Sequence, residues 1–213
     1  MQRLTLGRSD LVVSEFCLGT MTWGTQTPEA EAHEQIAIAL DHGVNFLDTA
    51  ELYPTNPSRA ETTGGTEEII GNWVARAGRR DALVIATKIT GAGNPDVRGG
   101  AAITAAALRT CVEASLRRLR CDWIDLYQLH WPNRGSYHFR RNWAYDPTTQ
   151  DPAATIAHME EVLGEAGRLV DEGKIRALGL SNETAWGCAQ WLRLAEAGKG
   201  PRMAAIQNEY SLL

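Results

Sequence analysis

Four side chains with useful acid–base chemistry stand at or just past the ends of short apolar runs. Asp48 and Tyr53 lie in "DTAELY", Lys88 in "IATKI" and His130 in "LYQLHWP". A tyrosine is a poor acid at neutral pH, with a pKa of about 10. It works as a general acid more readily if an ammonium stabilises its phenolate, and Lys88 offers one. A buried ammonium needs a counter-charge, and Asp48 offers that. His130 is then free to hydrogen-bond a carbonyl and orient it. Together the four make a site that delivers a proton to an oxygen while something else attacks the carbon. None of them is a good attacking nucleophile in this setting, so the natural candidate is a hydride from a cofactor. Taken singly, each residue also has a plainer role: a turn cap, a packed ring, a solvated amine, a core histidine. Their recurrence at the same relative place on successive segments argues for the joint reading.

The segments that must position them alternate in type. Strand-like runs are expected at 15–23, 44–48, 83–89, 124–131, 175–181 and 204–213. They start almost continuously apolar, as strands covered on both faces do. Helical stretches lie between them. In 152–172, Ile156, Met159, Leu163, Ala166 and Val170 step by three and four along one face. In 105–119, Leu108, Val112, Leu116 and Leu119 do the same, with Thr104 as N-cap and Ile103 placed to staple against Leu108. "GGTEEIIG" reads as a further helix start, with Thr66 as cap and Glu67 and Glu68 as acids against the dipole. Gly43, Gly78, Gly173 and Gly198 follow helical stretches, where a left-handed terminator is needed. The opening "RLTLGRSDLVVSEF" reads as a hairpin ahead of the repeats.

Alternation of this kind predicts a parallel sheet. The strand-to-helix connections are long, at about 54–65, 90–103 and 132–151, whereas the helix-to-strand connections are short. That asymmetry favours an α/β fold of the (β/α)8 TIM-barrel type, with the site at the C-terminal ends of the strands. A doubly wound sheet also alternates, but "GTMTWGTQTP" is a poor glycine-rich turn. At the same ends of the later runs stand Ser181, Asn182, Gln207 and Asn208. Trp23 and Trp131 are candidate walls of a substrate pocket, and the aromatic and arginine-rich loop 133–147 is a candidate lid, substrate loop or subunit contact.

Bulk composition narrows the class. The 213 residues suffice for one domain, 1–213, with a real core, and 44% hydrophobic with 22% charged residues fits a globular chain. The net charge of −5 argues against nucleic acid or an anionic membrane surface as main partner. The N-terminus shows no signal-peptide pattern, no run is long enough to span a membrane, and the four cysteines have no CxxC spacing. A cytoplasmic protein with reduced thiols and no metal site is expected, and no Walker A loop or GxGxxG is present.

With these residues in view, "DTAELY", "IATKI", "LYQLHWP", "GLSN" and "IQNEYSLL" resemble, in order, the signatures of the aldo-keto reductase family. "LGTMTWG", "TEEIIGNW" and "SNETAWG" resemble its Tas-type bacterial subgroup in particular. The resemblance runs from Met1 to Leu213 and implies a (β/α)8 barrel closed at its bottom by the hairpin. It implies a catalytic tetrad of Asp48, Tyr53, Lys88 and His130, with Tyr53 as proton donor. It also implies that Ser181, Asn182 and Gln207 hydrogen-bond the nicotinamide carboxamide of NADPH, whose hydride reduces an aldehyde or ketone to an alcohol.

The pattern reaches only about six of eight βα units. The family's seventh and eighth units supply the aromatic ring stacked on nicotinamide and the basic loop for the adenosine 2′-phosphate, so NADPH against NADH stays open. A C-terminally truncated reductase is the expectation, with self-association through open barrel edges as the other way to cover them. A non-catalytic binding or regulatory protein on the same scaffold, or an inactive fragment needing complementation, is the alternative from another class. An aldolase using Lys88 as a Schiff base is a third, weakened because a lysine paired with Asp48 is a poor nucleophile.

Overall fold

The apolar runs pair side by side as parallel strands. The computed structural model describes residues 1–211. Strands β1 (Arg3–Thr5) and β2 (Val12–Ser14) form the antiparallel hairpin. Strands β3 (Cys17–Gly19), β4 (Phe46–Asp48), β5 (Val84–Ile89), β6 (Ile124–Leu129), β7 (Ile175–Ser181) and β8 (Met203–Gln207) follow in one parallel sheet, paired in chain order. Helices α1 (Glu29–Asp41), α2 (Gly65–Ala77), α3 (Ala105–Leu119), α4 (Pro152–Asp171) and α5 (Ala185–Glu196) connect them. The architecture is an arc of a (β/α) barrel whose six described strands leave β3 and β8 at its edges.

Two strand expectations were too long. Run 15–23 is regular only at Cys17–Gly19, because the chain turns at Thr20 to reach α1. Run 204–213 is β-paired only through Gln207, and its last two residues lie outside the described ones. Helix α2 starts where expected, with Glu67 and Glu68 in its first turn, but its cap differs. Gly64, at φ +84°, occupies the N-cap, and Thr66 instead donates to the carbonyl of Trp23 at 2.8 Å. Glu67 is fully buried and accepts from Thr87 Oγ1 and Arg118 Nε, both at 2.6 Å. It joins α2 to β5 and α3, which leaves only the exposed Glu68 facing solvent in that turn. Elsewhere the local chemistry holds: Thr104 Oγ1 accepts from the Ala107 amide at 3.1 Å, and Gly78 closes α2 in the left-handed conformation.

Side chains of a strand alternate between faces, and the parity is the same across the sheet. Outward residues such as Leu47, Ile85, Ile89, Tyr127, Leu129 and Leu178 pack under the helices in one large core. Inward residues follow the other parity. Low in the barrel, Ala86, Leu126 and Ala177 receive Leu11 of the hairpin. Gly7 allows that docking, since a Cβ there would lie 2.1 Å from the Ala204 carbonyl oxygen. Asp10 pairs with Arg176 at 2.8 Å, and Asn45 holds the hairpin through Ser14 N at 2.8 Å and the Val12 carbonyl at 3.1 Å. The hairpin therefore fills the N-terminal end of the arc and leaves the C-terminal rim open for chemistry. Among the described residues no helix is long and apolar enough to cross a membrane, and no group of His, Cys, Asp and Glu could hold a metal.

Candidate active site

The inward parity carries Asp48, Lys88, His130, Ser181 and Gln207 to the C-terminal ends of β4, β5, β6, β7 and β8. Register makes neighbours of them: Asp48 pairs with Ala86, Lys88 with Gln128, and Ser181 with Gln207. Lys88 Nζ donates to Asp48 Oδ2 at 2.8 Å, with Oδ1 at 2.7 Å, and to the carbonyl of Thr49 at 2.8 Å. Thr20 Oγ1 donates to the carbonyl of Asp48 at 2.8 Å, tying the first βα loop to the same point. The Tyr53 ring lies beneath the ammonium, 5.0 Å from Nζ to its centroid, and meets the His130 ring edge-on at 5.8 Å. All four predicted tetrad residues thus converge at one rim.

The electrostatics differ from the expected route to an acidic tyrosine. Burial, and then the Asp48 charge, push the Tyr53 hydroxyl well above its ordinary value. Lys88 does not reverse this, because its charge is matched by Asp48 and it sits over the ring face. Tyr53 is therefore held as a neutral phenol. Burial and the neighbouring Lys88 charge push His130 well below the ordinary imidazole range, so it too is neutral. Its Nδ1 is buried without a partner among the described residues. A protonated phenol and a neutral imidazole are both single-proton hydrogen-bond donors, suited to one oxygen acceptor.

The second cluster lies beside the first. Asn182, at φ +52°, donates its amide to the Gln207 carbonyl at 3.0 Å. Its side-chain Nδ2 donates to the His130 carbonyl and to Ser181 Oγ, each at 3.0 Å. Gln207 is exposed and accepts from Gln128 Nε2 at 3.1 Å. Ser181 Oγ, accepting from Asn182, keeps its own proton to donate. This set of hydroxyl and amides complements a carboxamide, which has one acceptor oxygen and two N–H donors. Asn208 instead donates to the Glu183 carbonyl at 3.1 Å.

The two tryptophans separate. Trp131 is half-buried, adjoins His130 at 4.8 Å between centroids and lines a cavity of about 730 Å³ together with Leu52, Thr55, Ala92 and Phe139. Its indole donates to the Ala92 carbonyl at 3.0 Å, and a Cβ at Gly91 would stand 2.3 Å from its ring. Trp23 does not line this cavity. It is 1% exposed, packed in the core under the helices and bonded to Gln35 Oε1 at 2.8 Å, so its expected place in the pocket wall is corrected. Its run leaves the sheet before Trp23, which turns the indole to the outer layer.

Two further residues support the rim without having been singled out in the sequence. Glu51 is buried between Asp48 and Tyr53 in the chain, and its Oε1 accepts from the Thr90 amide at 2.5 Å and from Arg98 Nη2 at 3.3 Å. It clamps the Tyr53 loop to the end of β5, two residues past Lys88. Its place inside "DTAELY" was a local signal, since an acid in a buried run requires a partner. Glu183, next to Asn182, pairs with Arg134 through both carboxylate oxygens, joining the loops after β6 and β7. No spacing in the sequence links those two.

A family model described as "Aldo/keto reductase family" matches residues 15–213. "Protein tas" of Escherichia coli (strain K12) is 43% identical over 216 residues, covering 100% of this chain and 61% of that protein. "Uncharacterized oxidoreductase YrpG" of Bacillus subtilis is 34% identical over 220 residues, covering 100% of this chain and 59% of the relative. "Norsolorinic acid reductase stcV" of Emericella nidulans is 33% identical over 211 residues, covering 93% of this chain and 47% of the relative. The chain spans about 61% of the length of the first of these.

Proposed function

The chain belongs to the aldo/keto reductase family, and on that premise we propose that it is an NADPH-dependent oxidoreductase reducing aldehydes or ketones to alcohols. The observation that carries the proposal is the convergence of Tyr53, Lys88, Asp48 and His130 on one rim, with Lys88 Nζ 5.0 Å from the Tyr53 ring centroid. NADPH, when bound, supplies the hydride. Ser181, Asn182 and Gln207 are the residues that would hold its carboxamide.

The chain's own residues handle the oxygen and its proton. His130, neutral because it is buried beside Lys88, donates a hydrogen bond that orients the carbonyl. Tyr53, kept protonated by burial and by Asp48, gives its proton to the carbonyl oxygen as negative charge develops there. A developing alkoxide is a stronger base than a phenolate, so the transfer runs downhill late in the reaction. Once the phenolate forms, a cation already lies over its ring: Lys88 Nζ, 5.0 Å from the centroid. Asp48 and the Thr49 carbonyl hold that cation in place, so no reorganisation is needed when the charge appears. The proposed partner is thus a small carbonyl compound. Self-association along β3 and β8, each paired on one side only among the described residues, is proposed beside it.

The test is NADPH oxidation, followed by absorbance, with a panel of simple aldehydes and ketones. Tyr53→Phe is expected to lower the rate by about 10²–10⁴-fold while NADPH still quenches tryptophan fluorescence. A wild-type chain that reduces no carbonyl, or a Tyr53→Phe variant that keeps full rate, overturns the proposal.

A further inference from the structure

The cavity beside Trp131 has a charge character that the catalytic rim does not require. Its lining includes Arg134, Arg141 and His138 and contains no aspartate or glutamate. The chain as a whole carries a net charge of −5, so this is a local inversion of sign. The basic groups differ in what they have left to bind. The Arg134 guanidinium is paired with Glu183 and also donates to Thr184 Oγ1 at 3.0 Å. Arg141 is exposed at the mouth of the cavity, with no acid or carbonyl acceptor for its guanidinium among the described residues. His138 is buried, and its Nε2 is without a partner among the described residues.

The rest of the lining is suited to an apolar body. Trp131 and Phe139 meet edge to face, 5.5 Å between centroids, with Leu52 and Met21 also in the lining. Phe139 and Arg140 both lie in the left-handed region, at φ +58° and +61°, where a residue with a Cβ is strained. That turn sets the Phe139 ring against Trp131 and returns Arg141 to the cavity. The cavity reaches the rim through its wall: Trp131 meets the His130 ring at 4.8 Å between centroids, and His130 in turn meets Tyr53 at 5.8 Å.

We propose that this cavity selects carbonyl compounds that carry a carboxylate on an apolar or aromatic body, with Arg141 as the residue that recognises the anion. A single unpaired guanidinium, planar and able to bond both oxygens, matches a carboxylate. The proposal rests on the reading of the adjoining rim as a carbonyl-reducing site and adds the class of substrate.

The experiment compares 4-carboxybenzaldehyde with benzaldehyde, each titrated into the full chain without cofactor and followed by calorimetry or by ligand-observed NMR. The carboxylate compound is expected to bind about tenfold more tightly, as for one charge-assisted contact, with the margin shrinking at about 0.5 M salt. Arg141→Ala is expected to erase the difference and Arg141→Lys to restore part of it. Equal affinities, or a preference that survives Arg141→Ala, overturn the proposal. So does an Arg141→Ala variant that loses NADP⁺ affinity to the same degree, since the guanidinium would then serve the phosphates of the cofactor. A carboxylate preference without any NADPH-dependent reduction upholds this site and refutes the reductase reading. Reduction without a preference does the reverse.

Discussion

Asp48→Asn tests the arrangement on which the candidate site depends. The Lys88 side chain is 1% exposed, and its ammonium is held by Asp48 at 2.7–2.8 Å and by the Thr49 carbonyl at 2.8 Å. Removing the carboxylate leaves a buried cation with one carbonyl. Breaking a buried pair in this way costs about 3–5 kcal/mol. For a chain of this size, roughly 2–4 °C is lost per kcal/mol, so the melting temperature should fall by roughly 6–20 °C. The reverse deletion is milder. The Asp48 side chain keeps 12% exposure and can turn to water, so Lys88→Met should cost only about 1–3 kcal/mol. The double variant Asp48→Asn/Lys88→Met buries no unpaired charge and should recover most of the loss, which gives a coupling energy of several kcal/mol. Urea unfolding followed by circular dichroism measures all four proteins. If Asp48→Asn lies within about 1 kcal/mol of wild type, or if the double variant is no more stable than Asp48→Asn, the pair is not the buried charge clamp described here.

Two further outcomes follow from the same structure. His130 has its pKa depressed by burial and by Lys88, whereas in the unfolded chain it titrates near about 6.5. The unfolded state therefore binds more protons below that pH, so this contribution to stability is present above about pH 6.5 and is lost as the pH falls. His130→Gln should flatten the stability profile between about pH 6.5 and 5, and identical slopes in the two proteins would refute the buried neutral imidazole. Leu11→Ala removes the side chain that the hairpin sets against Ala86, Leu126 and Ala177, and should cost about 2–5 kcal/mol in urea unfolding. A loss below about 1 kcal/mol would mean that the hairpin adds no stability at the barrel bottom.

Much of the fold was legible because its signals are local. Apolar runs, Thr104 before Ala105 and glycines after helices report on a few neighbouring residues each, and the helices at 105–119 and 152–171 stand close to their expected bounds. The errors fell where distant partners overrode local chemistry. Thr66 and Glu67 do stand in the first turn of α2, as expected, but Gly64 takes the N-cap, and Trp23, Thr87 and Arg118 bind their side chains from elsewhere in the chain. Trp23 has the composition of a pocket wall, but the early end of β3 turns it into the outer core. The candidate site was legible as residue types, because the period of two in a strand and the position of strand ends can both be read from a string of letters.

The sequence by itself therefore determined the parallel alternation, the side of the sheet on which the chemistry lies, and the identity of Asp48, Tyr53, Lys88 and His130 as its candidate residues. Tertiary structure decided what those residues are like. It buried Tyr53 beside the Asp48 charge, which sets it as a neutral phenol, and it removed His130 from water next to the Lys88 ammonium held by Asp48 and Thr49, which sets it as a neutral imidazole. It also brought Arg141 to a cavity without an acid in its lining. The physical reason is one of range. Strand parity and caps are properties of residues within a few positions of one another. Desolvation and charge pairing depend on what lies within a few ångströms in space, and residues 40 positions apart, such as Asp48 and Lys88, become neighbours only when the sheet forms.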